Sequence, residues 1–88
     1  MIVRILGEGR FELSEQVVAE IEALDDTLGT AIEAGDTQAM DATLHELIDR
    51  IRSAGTPIAP DDLRVSDLVV PHEGSSLEEV RSLLAEEA

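Results

Sequence analysis

Residues 14–55, SEQVVAEIEALDDTLGTAIEAGDTQAMDATLHELIDRIRSAG, decide the fold. Apolar residues recur at Val17, Ile21, Leu24, Leu28, Ala31 and Ile32, in helical steps that hold them on one face. Ser14 is placed to accept from an orphan N–H of the first turn, with Leu13 stapled onto Val18. Gly35 is the expected stop, because helices commonly end at a residue with positive φ, and Asp36 is the expected cap of the next helix. Met40, Leu44, Leu47, Ile48 and Ile51 make a second stripe that ends at Gly55, with Pro57 just beyond. Arg50 and Arg52 suit the negative end of that helix. Glu46 precedes Arg50 by four residues, an order worth about 0.2–0.5 kcal/mol as a surface pair. So tight a turn makes the two helices antiparallel neighbours. Gly29 lies inside the first helix at a cost of about 1 kcal/mol relative to alanine. It reads as slack or as a close helix approach, with a functional kink as the alternative.

Outward from the helices, Ile2 to Leu6 and Arg10 to Leu13 read as two strands around Gly7-Glu8-Gly9. A three-residue loop pairs Leu6 with Arg10, Ile5 with Phe11, Arg4 with Glu12 and Val3 with Leu13. That register sets apolar against apolar and Arg against Glu, with Gly9 at the left-handed loop position. Gly7 and Gly9 do not begin a phosphate loop. The third glycine is absent, no helix follows directly, and Glu8 repels phosphate. A lone hairpin is marginal in water, so its apolar face must lie on the helices.

Beyond Gly55, Pro57 and Pro60 favour extended chain. Leu68, Val69 and Val70 form a short apolar run ending at Pro71, read as a third strand on the sheet edge or an arm packed on the helices. Ser76 and Glu79 form a capping box, followed by an apolar side of Leu77, Val80, Leu83 and Leu84. A helix this short persists only when docked.

The expected fold class is α+β. A β-hairpin (1–13) packs on an antiparallel helical hairpin (14–55), followed by an extended arm (56–75) and a short C-terminal helix (76–88), all in one domain of 88 residues. The expected core is Val3, Ile5, Phe11, Leu13, Ile21, Leu24, Leu28, Leu44, Leu47, Ile48 and Ile51, with Phe11 the single aromatic residue.

Charge is the dominant feature of the composition. Twenty acids against six arginines, with no lysine, leave a formal net charge of −14. Nucleic acid and anionic headgroups repel such a chain, which argues against nucleic-acid binding and against direct membrane insertion. Solubility, salt adaptation or genome composition is the first reading of the acidity, with a basic protein partner meeting an acidic helix face as the functional alternative. Cysteine is absent, so neither disulfides nor thiol chemistry is expected. No apolar run reaches membrane-span length and the N-terminus lacks an export signal, so the expected location is cytoplasmic.

Chemistry is hard to find. His45 and His72 show no zinc-ligand spacing and read as structural or surface residues. Asp25-Asp26, Asp61-Asp62, Glu78-Glu79 and Glu86-Glu87 are adjacent acids, which point apart on a helix and make poor catalytic dyads. No serine has a histidine at a recognisable spacing. No enzyme, metal or cofactor is expected.

Several segments together resemble a known family. They are Met1-Ile2-Val3-Arg4-Ile5-Leu6-Gly7-Glu8-Gly9, Phe11-Glu12-Leu13, Ala54-Gly55-Thr56-Pro57, Ser66-Asp67-Leu68-Val69-Val70-Pro71 and Leu77-Glu78-Glu79-Val80-Arg81. In order and spacing they resemble the PspAA family of small PspA-associated proteins, over nearly the whole chain. The resemblance implies a partner rather than a reaction: a PspA-type (phage shock protein) coiled coil of the ESCRT-III-like superfamily, acting in the membrane stress response. It also implies a cytoplasmic protein recruited to the inner face of the membrane through that partner.

The expected function is therefore a non-enzymatic adaptor or regulator of a PspA-like coiled coil. The alternative is a structural homodimer whose helical hairpins pair into a four-helix bundle. An acidic decoy for a nucleic-acid-binding protein is weaker, because the hairpin and the proline-rich arm add nothing to it. For the adaptor, the candidate contact residues are Glu22, Asp25, Asp26 and Glu33 on the first helix, facing basic stretches of the partner. Exposed ion pairs each give about 0–1 kcal/mol, so a buried apolar anchor is also required. The hairpin edge and the C-terminal helix are the candidates for it.

Overall fold

The helical hairpin forms where its caps dictate. In the structure, a computed structural model that describes the backbone of residues 1–87 and the side-chain surroundings of residues 1–83, α1 spans Glu15–Ala34 and α2 spans Thr37–Ala54. Gly35 stops α1 with φ 69°, its N–H bonding Ile32 O at 3.1 Å while the Asp36 N–H bonds Ala31 O at 3.0 Å. This is the paired closure of a Schellman motif. Asp36 then caps α2, its carboxylate accepting from Ala39 N at 3.1 Å. Ser14 occupies the N-cap position of α1 in extended conformation but makes no side-chain capping bond, contrary to expectation. It is exposed, so water is available to the first-turn N–H groups. Arg50 pairs with Glu20 of α1 rather than with Glu46 on its own helix, tying the two helices together.

β1 (Ile2–Ile5) and β2 (Gly9–Glu12) form the expected antiparallel hairpin in a different register. Ile2 pairs with Glu12, Val3 with Phe11, Arg4 with Arg10 and Ile5 with Gly9. The loop is Leu6-Gly7-Glu8, closed by Glu8 N to Ile5 O at 3.0 Å with Gly7 at φ 86°. Gly9 has the expected positive φ, 109°, but sits opposite Ile5 instead of in the loop. The shift preserves the faces, so Val3, Ile5 and Phe11 still share one side. What it gives up is the Arg4–Glu12 pairing, worth roughly 0.2–1 kcal/mol. Arg10 instead donates to the main-chain oxygens of Ala59, Asp62 and Arg64. Hydrogen bonds from a charged donor are worth about 1.5–3 kcal/mol, which decides the register.

Two further strands flank the hairpin. β3 (Thr56–Pro57) pairs antiparallel with β2, and β4 (Leu68–Val70) pairs parallel with β1, giving the order β3-β2-β1-β4. The apolar run at 68–70 thus joins the sheet edge as expected. β3 was not foreseen; its Pro57 is tolerated because it lies on an edge strand. Asp67 immediately precedes β4, its N–H bonding Ile2 O at 2.7 Å while its carboxylate accepts from Ile2 N at 2.8 Å.

One face of the sheet packs on the helices. Val3, Ile5, Leu13, Ile21, Leu28, Leu44, Leu47, Ile48 and Ile51 are buried as expected, joined by Met40, Val70 and Val80. Phe11 and Leu24 depart from expectation: both are partly buried and pack against the core from its margin. Phe11 lies opposite Pro57, and the two-residue β3 is too short to close over it. Leu24 lies toward the border of the α1 stripe.

α3 (Leu77–Glu87) begins at the expected capping box, with Glu79 N bonding Ser76 Oγ at 3.1 Å and Ser76 N bonding Glu79 Oε1 at 3.2 Å. Val80 docks it, and the Arg81 guanidinium donates to Ile32 O at 2.9 Å, a cation at the C-terminal end of α1. The side chains of Leu84, Glu86 and Glu87 lie outside the described residues.

Candidate functional site

Helical periodicity carries Glu22, Asp26, Gly29 and Glu33 up one side of α1, with Asp25 beside them. Glu22, Asp26 and Glu33 are exposed and Asp25 is half-buried. Among the described residues, none of the four carboxylates makes an ion pair. The carboxyl of Asp25 is pushed above its usual range, chiefly by burial and then by the neighbouring charge of Asp26.

Beside this acidic stripe, α1, β4 and α3 leave a recess of about 130 Å³. Leu28, Gly29 and Ile32 supply one wall, Val69 and Pro71 the second, and Val80 and Leu83 the third. Among the described residues, Asp25 is the one charged residue in the lining. Among the described residues, nothing stands within 4 Å of where a Cβ at Gly29 would lie, so the recess is open to them there. Sequence reasoning placed the acids together but missed the recess, which exists only once α3 has docked against α1.

A second surface lies on the far side of the sheet. The arm between β3 and β4 crosses it, pinned by the three Arg10 bonds and by Arg64, which pairs with Glu12 and Asp62, each at 2.9 Å. Arg64 holds the Asp62 carboxyl down at about 2 by its hydrogen bonds and its charge. The arm displays Leu63, 94% exposed, and Val65, 82% exposed, which nothing in their sequence pattern marked out. Arg4 stands on the same sheet face without an ion-pair partner among the described residues. The hairpin edges proposed as an apolar anchor are not free, since β3 and β4 cover them.

The two histidines face different carboxylates. His45 Nδ1 lies 2.7 Å from Glu73 Oε1, and His72 Nε2 lies 3.5 Å from Glu79 Oε2. Among the described residues, no group of three or more His, Cys, Asp or Glu is gathered as a metal site. Among those same residues, no helix is long and apolar enough to cross a membrane.

No curated protein and no solved structure matched the chain. The family model described as PspAA, PspA-Associated protein, matches residues 1–88, the whole length. An α+β fold built on the opening MIVRILGEG strand and completed by the Ser66–Pro71 segment, matched from end to end, places this chain in the PspAA family of PspA-associated proteins.

Proposed function

We propose that this chain is a non-enzymatic adaptor that binds a PspA-type coiled-coil protein and tunes its assembly in the envelope stress response. The whole-chain family match carries this reading. The α1 face supports it, because four carboxylates that make no ion pair among the described residues are available to a basic helix. Exposed pairs give about 0–1 kcal/mol each, so the acids steer and orient while an apolar contact holds. The net charge of −14 opposes direct contact with nucleic acid or anionic lipid. In this reading the protein works in the cytoplasm and reaches the inner face of the membrane through its partner.

The homodimer alternative has less support. A four-helix bundle needs apolar helix faces left over, and here Ile21, Leu28, Ile32, Leu44, Leu47, Ile48 and Ile51 are consumed in the chain's own core.

Co-purification with the PspA-type protein of the same genome tests the proposal, against a coiled coil of similar charge as control. Specific retention is the expected result. Equal retention by the control, or none by either, overturns it.

A further inference from the structure

The acidic face and the recess adjoin, and each supplies what the other lacks. Surface carboxylates orient a partner but hold it weakly. An apolar pocket holds one side chain firmly but selects little by itself. We infer that the recess between α1, β4 and α3 is the anchor pocket for a basic amphipathic helix, which inserts one leucine-, methionine- or phenylalanine-sized side chain while its arginines and lysines lie over Glu22, Asp25, Asp26 and Glu33. The inference rests on the adaptor reading and names the surface through which that partner docks.

Size fits first. The recess measures about 130 Å³, and a cavity of roughly 150 Å³ with apolar walls takes up benzene. One side chain fills it. Charge fits next. Asp25 is half-buried in the lining with no ion-pair partner among the described residues. An arriving cation offsets the cost of holding that carboxylate out of water. A second copy of this chain, carrying a net charge of −14, is repelled from this face. The groove beneath the arm lacks such complementarity, because Arg4, Arg10 and Arg64 share its lining with Glu8 and Asp62.

Gly29 makes the inference testable. It lies in the recess wall, inside a helix, and a Cβ there meets none of the described residues within 4 Å. Gly29→Leu therefore starts its side chain from open space in the recess wall. The probe is the PspA-type protein of the same genome, titrated calorimetrically into wild type, Gly29→Leu and the double variant Leu63→Ser/Val65→Ser. Melting curves accompany each protein. Gly29→Leu is expected to melt no lower than wild type yet bind about tenfold or more weakly, whereas the arm variant binds within about twofold of wild type. Raising salt from about 0.1 to 0.5 M is expected to weaken wild-type binding. In wild type, amide shifts during titration are expected to centre on Gly29, Ile32 and Val80, a readout independent of any substitution. Undiminished binding by Gly29→Leu, shifts centred on the arm, or loss of binding in the arm variant alone overturns the anchor pocket and leaves the adaptor reading standing. No binding by wild type overturns both.

Discussion

Gly55 lies hard against Phe11: a Cβ at position 55 would stand 3.0 Å from the Phe11 Cβ. The same Cβ would stand 2.6 Å from the Ile51 main-chain oxygen and 3.3 Å from Leu13 Cδ2. The φ of Gly55 is −88°, which any residue adopts, so the requirement is space and not backbone freedom. Here α2 ends directly on β2, and the chain turns into β3 at once. Gly55→Ala should therefore cost about 1–3 kcal/mol through overpacking. Equilibrium denaturation measures it, and an unchanged midpoint would mean that the end of α2 shifts freely.

Gly29 should respond with the opposite sign. It lies within α1 with open space at its Cβ position, so Gly29→Ala removes a helix penalty without a clash. The expected gain is about 0.5–1 kcal/mol. A loss of stability in the same denaturation experiment would show that the bare backbone at 29 has a packing role.

These two glycines also mark what was legible in the sequence. The helical hairpin was readable because its information is local. Stripes with helical spacing, Gly35 as a stop and Asp36 as a cap lie within a few residues of the helix ends they control. The α3 capping box was readable for the same reason. The hairpin register was not, since Arg10 decides it through oxygens at Ala59, Asp62 and Arg64, far along the chain. β3 was invisible because two residues, one of them proline, carry no alternation. Among the contact candidates, periodicity alone set Glu22, Asp25, Asp26 and Glu33 on one side of α1. The recess beside them depends on where α3 docks, through Val80 and the Arg81 bond to Ile32, and the apolar side of α3 does not by itself say which surface it meets.

Arg10 offers a direct test of how the arm is held. Arg10→Met keeps much of the apolar stem on the sheet and removes the donors to three main-chain oxygens. The expected loss is about 1–3 kcal/mol. It should be accompanied by faster protease cleavage between residues 58 and 66, because the arm then opens locally before the rest of the fold. Cleavage at the wild-type rate would show that the Arg64 contacts suffice to hold it.

Phe11 tests the margin of the core. It is partly buried, so Phe11→Ala should fall at or below the low end of the 3–5 kcal/mol range for buried aromatics, about 2–3 kcal/mol. Leu47→Ala, at a fully buried position, should cost at least as much despite the smaller side chain, about 2–5 kcal/mol. Parallel denaturation curves rank the two. A much larger loss at Phe11 would place it at the centre of the core.

Asp25 and Asp62 give the stability a signed pH dependence. The Asp62 carboxyl is held at about 2, below the ordinary 3.8, first by hydrogen bonds from Arg64 and then by its charge. The unfolded chain therefore binds a proton there before the folded one does. Its contribution is fully present above 3.8 and is lost as pH falls from 3.8 toward 2. Asp25 works in reverse, because burial, aided by Asp26, raises it above 3.8. The folded chain takes up that proton first, so the cost of the bare carboxylate is present at neutral pH and is relieved as pH falls through the raised value. Asp25→Asn should raise the melting temperature at pH 7, and the gain should shrink on acidification. Asp62→Asn should lower it at pH 7, and the loss should fade as pH falls from 3.8 toward 2. Melting curves across this range, with carboxyl titrations by NMR, measure both signs. A wild-type Asp25 that titrates at or below the ordinary aspartate value would remove the burial cost, and with it the reason a cation should settle beside the recess.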